Sequence, residues 1–177
     1  GNVVYDNGRA GGSGINADGV QQSIFRNNLL YGNHASGMSF FQIDGAAGSS
    51  RNVVVNNTVV QASDGRWALN IRDASTNLYV ADNIFLSDHA YRGAISISTD
   101  SLDGFVCDYN AMIDRFTLDD GDSVIRLADW RTATGQDAHS FIAGAGELFV
   151  APSAGDFRLN ATSPAIDRGT SNQAPGF

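Results

Sequence analysis

One asparagine recurs along this chain, as Asn2, Asn28, Asn57, Asn83 and Asn110, at spacings of 26, 29, 26 and 27 residues. Its surroundings recur with it. NVVYDN at 2–7 returns as NLLYGN at 28–33. Two positions after each Asn stand Val4, Leu30, Val59, Phe85 and Met112; three positions before stand Phe25, Val54, Val80 and Cys107. Five units in one register define a repeat architecture. The period is too short for an α-solenoid. Each unit consists of β-branched and aromatic runs broken by Gly, Asn, Asp and Ser, which reads as two or three short strands per unit. Such units stack as a parallel β-helix, each coil adding one strand spacing of about 4.8 Å along the axis. The recurring Asn then has two duties. It tolerates the left-handed backbone of a sharp turn, and its amide can donate to one neighbouring coil and accept from the other, as a ladder.

Composition agrees. All 11 basic residues are Arg, and 18 of the 19 acids are Asp, Glu147 being the exception. With 20 Gly and few helix formers, the chain suits strands joined by turns. The absence of Lys excludes Schiff-base chemistry and a P-loop. A net charge of −8 argues against nucleic acid as a partner. No apolar run approaches 18 residues, so no membrane-spanning helix is expected. A lone cysteine, Cys107, cannot form an internal disulfide and sits in an apolar column, as core.

A second strand follows in each unit: GINAD, MSFFQID, WALNIRD and AISISTD, ending in Asp18, Asp44, Asp73 and Asp100. Alternation places Trp67, Leu69 and Ile71 on one face and Ala68, Asn70 and Arg72 on the other; likewise Ile95 and Ile97 face in and Ser96 and Ser98 out. The pattern is expected to stop after Asn110. RFTLDDGD reads as a polar break, and SVIRLADWRTATG as a short helix with Ser123 as N-cap and Gly135 as its end. Residues 1–114 are thus expected to form the coils and 115–177 a cap over the last cross-section. Residue 2 is already a ladder position. The first coil, with Val3, Val4 and Ile15, is therefore expected to be covered by another polypeptide or a second copy.

At this point the sequence resembles the right-handed parallel β-helix repeat proteins, a secreted bacterial group that includes many polysaccharide lyases and glycoside hydrolases. The tail WRTATGQDAHSF…LFVAPSAGDFRLNATSPAIDRG is similar to their closing segment: Trp130, Thr134, Gly135, Asp137, Ser140, then Asp156, Phe157, Leu159, then Ser163 to Asp167 and Gly169. The resemblance implies an all-β, single-stranded, right-handed parallel β-helix of about five coils. It further implies a secreted protein whose partner is a polysaccharide. The fold itself serves lyases, hydrolases, adhesins, tailspikes and scaffolds.

Three sets of residues are candidates for chemistry. The strand-ending Asp residues, if stacked, would repel unless bonded or bound to a cation. They suit a Ca2+ rail or a polygalacturonase-like Asp cluster, or simply turn closure. The second set lies between the two strands. His34 and His89 both fall six residues after a ladder Asn, and Arg66 and Arg92 both fall nine after, with Trp67 and Tyr91 beside them. Stacked coils would gather these with Asn70 and Arg72 on one lateral face. There Arg clamps a uronate carboxylate, and His or Tyr exchanges the C5 proton in β-elimination. In this reading His34, His89, Tyr91 and Arg92 are catalytic, and Arg66, Trp67, Asn70 and Arg72 bind substrate. The alternative is a solvated turn with Trp67 in the core. The third set, Asp137, His139 and Ser140, is too close in sequence for a triad built across a fold and reads as cap. The functional expectation is a polysaccharide lyase-like protein; the rival is a non-catalytic solenoid.

Overall fold

A computed structural model describes residues 1–121 and 123–171; Asp122 of the expected polar break and residues 172–177 of the expected cap lie outside the described residues. The chain is a parallel β-solenoid with three sheets running along its length. The first contains Val3–Tyr5, Leu29–Tyr31, Thr58–Gln61, Ile84–Ser87, Ala111–Met112 and Phe141–Ile142. The second contains Ile15–Asp18, Met38–Phe41, Leu69–Ile71, Ile95–Ile97 and Phe116–Thr117. The third contains Ile24–Arg26, Val53–Val55, Tyr79–Ala81 and Val106–Asp108. Three short strands per coil is the count at which 26–29 residues close one turn.

The register matches the repeat alignment. Val4, Leu30, Val59, Phe85 and Met112 stand level in the first sheet, and Phe25, Val54, Val80 and Cys107 in the third. Together with Met38, Leu69, Ile95 and Phe116 of the second sheet they form one continuous apolar column, most of it fully buried. A coil buries little alone; its inward side chains are covered by the same residues one coil above and below.

The Asn ladder is present and directional. The backbone N–H and the Nδ2 of Asn28 both donate to Oδ1 of Asn57, at 3.1 and 2.8 Å. Asn57 does the same to Asn83, and Asn83 to Asn110, with bonds of 2.9 and 3.0 Å at each step. The left-handed residue is not the ladder Asn but the one before it: Asn27, Asn56, Asp82 and Tyr109 have φ between 55° and 59°. The two duties assigned to one Asn are therefore divided between neighbours. One bends the chain, and the next, with ordinary backbone, points its amide inward. A second ladder carries no asparagine: Ser49 N donates to Ser75 Oγ and Ser75 N to Ser101 Oγ, at 2.8 and 3.1 Å.

The pattern does not stop at Asn110. Its backbone N–H donates to Ser140 Oγ at 2.8 Å, so Ser140 is the last rung, and Phe141–Ile142 adds a sixth strand beside Ala111–Met112. The detour between holds the helix Leu127–Thr134, which ends at Gly135 with φ 71° as expected. Its N-terminus is not capped by Ser123. The Asp114 carboxylate accepts from Leu127 N at 2.7 Å instead, while Ser123 bonds Asp119. A side chain brought close by the fold has displaced the local candidate. The helix seals the end of the column with Trp130, fully buried and stacked on Phe116 at 5.1 Å.

Beyond the helix, the tail also covers a lateral face. The hairpin of Phe149–Ala151 and Asp156–Leu159 lies on the outer face of the first sheet. There Leu148, Phe149 and Phe157 cover Tyr31, Val60, Leu86 and Ala111 as a second apolar cluster. Thr170 N reaches back to Asp82 Oδ1 at 2.8 Å. No helix among the described residues is long and apolar enough to cross a membrane.

A cationic groove on the second sheet

The outer face of the second sheet has a stripe of polar side chains along the solenoid axis. Asn16, Ser39, Asn70, Ser96 and Thr117 are level in register, one per coil. They alternate with the inward Met38, Leu69, Ile71, Ile95 and Ile97, as the strand period requires. Asn16, Ser39 and Asn70 of this stripe form the floor of an open groove of about 470 Å³. One wall is made by the turns entering the sheet, with Ser36, Arg66, Trp67 and Arg92; the other holds Phe41, Ile43, Arg72 and Asp120. Arg66 N donates to Ala35 O at 2.8 Å, and Ala68 N to Gly93 O at 3.0 Å. These bonds lock the wall turns to the same register as the strands.

Arg72 and the other two arginines are in different states. The Arg72 guanidinium is half-buried and fully engaged. Nε donates to Asn70 Oδ1 at 3.0 Å, Nη2 to Ser96 Oγ at 2.9 Å, and Nη1 is paired with the Asp120 carboxylate. Ser96 faces outward yet is fully buried, because Arg72 lies over it. Burial lowers the Arg72 pKa, against the pull of Asp73 and Asp100, from a value so high that the group stays charged. By contrast, neither the Arg66 nor the Arg92 guanidinium has a hydrogen-bond or ion-pair partner among the described residues. Trp67 lies between their coils with 4% of its surface exposed, part of the wall rather than a protruding ring.

The expected proton-transfer residues do not line this groove. His34 bridges two carboxylates from neighbouring coils, with Nδ1 2.7 Å from Asp64 Oδ1 and Nε2 2.9 Å from Asp6 Oδ1. Those partners raise its pKa, the Asp6 bond most, and the two carboxylates are lowered in turn, chiefly by their bonds to His34. His89 Nδ1 accepts from the backbone N–H groups of Tyr91 and Arg92, both at 2.9 Å, and so builds the turn that presents Arg92. Desolvation first, then the charges of Arg92 and Arg115, lower its pKa, so it is neutral. Tyr91 Oη donates to Gly121 O at 2.6 Å, tying this turn to the loop that carries Asp120.

The strand-ending Asp residues do not form a column. Asp18 stands level with Phe41, and Asp73 lies one residue beyond the level of Phe41 and Arg72. Their carboxylates are spent on backbone instead. Asp18 accepts from Ile43, Asp44 and Gly45 N–H; Asp73 accepts from Gln42 N, and Asp100 from Ala74 N. Those bonds hold the Asp18 carboxyl below its usual range; the Asp100 carboxyl is held there first by the Ser98 hydroxyl and then by the Ala74 N–H. Among the described residues no group of three His, Cys, Asp or Glu is disposed to hold a metal ion.

The Asp137, His139, Ser140 set is part of the end structure. Asp137 is buried and accepts from Trp130 Nε1 at 2.7 Å and Ser140 Oγ at 2.6 Å, while His139 Nδ1 bonds Asp108 at 2.7 Å. Burial pushes both the Asp137 carboxyl and the Cys107 thiol up. The tail motif is thus a rung-and-cap device.

The repeat places His34, Arg66, Trp67, Asn70, Arg72, His89, Tyr91 and Arg92 on one lateral face; the groove is lined by Arg66, Trp67, Asn70, Arg72 and Arg92, and not by His34, His89 or Tyr91. Sequence reasoning missed the floor residues Asn16 and Ser39, although both occupy the outward column of Asn70. It also missed Asp120, which no local pattern connects to Arg72.

The fold and site define a parallel β-solenoid with a lateral polar groove carrying unpaired arginines. No protein-family model, curated protein or solved structure matches the chain.

Proposed function

We propose that this protein is a carbohydrate-active β-helix that binds an acidic polysaccharide in the groove of its second sheet, as a secreted protein would. The observation that carries this reading is the pair of unpartnered guanidiniums, Arg66 and Arg92, beside Trp67 in a chain of net charge −8. An unpaired cation above a polar floor is a receptor for a carboxylate or sulfate, and a planar guanidinium meets such groups with two parallel N–H bonds. Floor hydroxyls and amides supply the donors and acceptors that sugar hydroxyls need. The test is calorimetric titration with oligogalacturonate. The wild type should bind, and Arg66→Ala with Arg92→Ala should lose binding with an unchanged melting temperature. Retained binding in the double variant would place the site elsewhere.

A second reading, β-elimination, is favoured by one feature. His89 is held neutral next to Arg92, and its Nε2 has no partner among the described residues. A neutral imidazole beside a carboxylate-neutralising Arg is the pairing that removes a C5 proton. Appearance of the unsaturated product's ultraviolet absorbance, lost in His89→Ala, separates a lyase from a binding solenoid such as an adhesin or scaffold.

A further inference from the structure

The groove is not uniform along its axis. We infer that it reads a glycan in which one anionic unit is flanked by neutral units, and not a chain charged at every sugar. This rests on the acidic-glycan reading above and goes on to specify the pattern of charge.

The argument starts from the wall column. Leu69 pairs with Ile95, so Arg66 and Arg92, each three residues earlier, are level in adjacent coils. Met38 pairs with Leu69 and Ile15 with Met38, so the same column continues as Ala35 and Gly12. Going from the fourth coil to the first, the wall therefore reads Arg92, Arg66, Ala35, Gly12. The two arginines are one strand spacing apart, about 4.8 Å. Arginines on adjacent coils can both be brought to bear on one anionic group, and the unpaired positive charge of the wall is confined to those two coils.

The remaining positive charge does not extend this site. Arg72 is on the opposite wall and is neutralised by Asp120. Toward the first coil the lining is Ser13, Asn16, Ser36 and Ser39, with Ser13 Oγ and Ser39 Oγ hydrogen-bonded at 2.7 Å. Those groups recognise hydroxyls but offer a carboxylate no counter-charge. A second anionic unit placed there would give up hydration without gaining a cation. From the Gly12 row to the Arg92 row the groove lining spans three strand spacings, about 14 Å, room for a few sugars.

The experiment compares three tetrameric ligands by calorimetry: tetragalacturonate, charged throughout; aldotetraouronic acid, with one uronate and three neutral xyloses; and neutral xylotetraose. The expected order places aldotetraouronic acid at least tenfold tighter than tetragalacturonate, with xylotetraose weakest. Asn16 is an exposed strand residue at the neutral end, so Asn16→Arg is compatible with folding, which an unchanged melt checks. That variant should bind tetragalacturonate about tenfold tighter. Equal or tighter wild-type binding of tetragalacturonate, still lost in Arg66→Ala, would overturn the single-charge pattern while leaving the acidic-glycan reading intact. Binding by none of the acidic ligands would overturn both. An Asn16→Arg variant that folds but leaves tetragalacturonate affinity unchanged would overturn the assignment of the neutral end.

Discussion

Each coil has two well-defined turns that treat their polar groups in opposite ways. At the ladder turn the side-chain amides of Asn28, Asn57, Asn83 and Asn110 are buried and bonded to a neighbouring coil. At the turn entering the second sheet, nine residues further along the same coil, the Arg66 and Arg92 guanidiniums extend into a groove with no partner among the described residues. The first turn repeats because stacking requires it. An unpaired buried donor or acceptor costs about 1–3 kcal/mol, so each coil must present what its neighbour needs. The second turn is free to vary from Gly12 and Ala35 to Arg66 and Arg92, because solvent satisfies whatever is placed there. In a solenoid, constancy marks the frame and variation within a column marks the part free to specialise.

The largest expected effect tests the frame. Asn57→Ala removes an Oδ1 that accepts from Asn28 N and Nδ2, and an Nδ2 that donates to Phe25 O. It should cost roughly 3 kcal/mol by denaturant unfolding. A loss below about 1 kcal/mol would mean that the ladder is decorative. The neighbour separates bending from bonding. Asn56 is exposed at φ 55°, so Asn56→Ala should cost about 1 kcal/mol from backbone conformation alone, and Asn56→Gly almost nothing. Equal losses at 56 and 57 would contradict the division of labour between them.

The groove turn should show the reverse profile. Arg66→Ala should shift stability by less than about 0.5 kcal/mol, as an exposed residue without partners does. Its acidic-oligosaccharide affinity should fall at least tenfold. A destabilised Arg66→Ala would mean that the arginine belongs to the frame.

The smallest effect concerns pH at the His34 turn. Asp6 and Asp64 raise the His34 pKa above its ordinary value near 6.5. A raised folded-state pKa contributes stability that is fully present below the unfolded value and is lost as pH rises through the folded one. Wild type should therefore melt slightly higher at pH 6 than at pH 8, and His34→Asn should lose that difference. Below about pH 4 the gain disappears again, because the lowered carboxyls of Asp6 and Asp64 begin to protonate. A pH-independent melt in the wild type would show that the bridge carries no coupling.

The sequence alone determined the solenoid, its period, and which residues stand level. Stacking forces the same side-chain chemistry into the same place every coil, so a spatial column is written as a regular spacing. The Asn ladder, the core columns through Val4 and Phe25, and the five groove residues from Arg66 to Arg92 were legible for that reason. Tertiary structure decided whatever depends on the detours between rungs. Asp114 caps a helix 13 residues away. Asp120 neutralises Arg72 from a loop two coils on, Ser140 completes a ladder of asparagines, and the hairpin beyond the end-sealing helix runs back over Tyr31. His34 and His89 share a register position, yet one bridges carboxylates and the other builds a turn. Spacing identifies which residues share a column; which partner each finds depends on loops whose lengths follow no period.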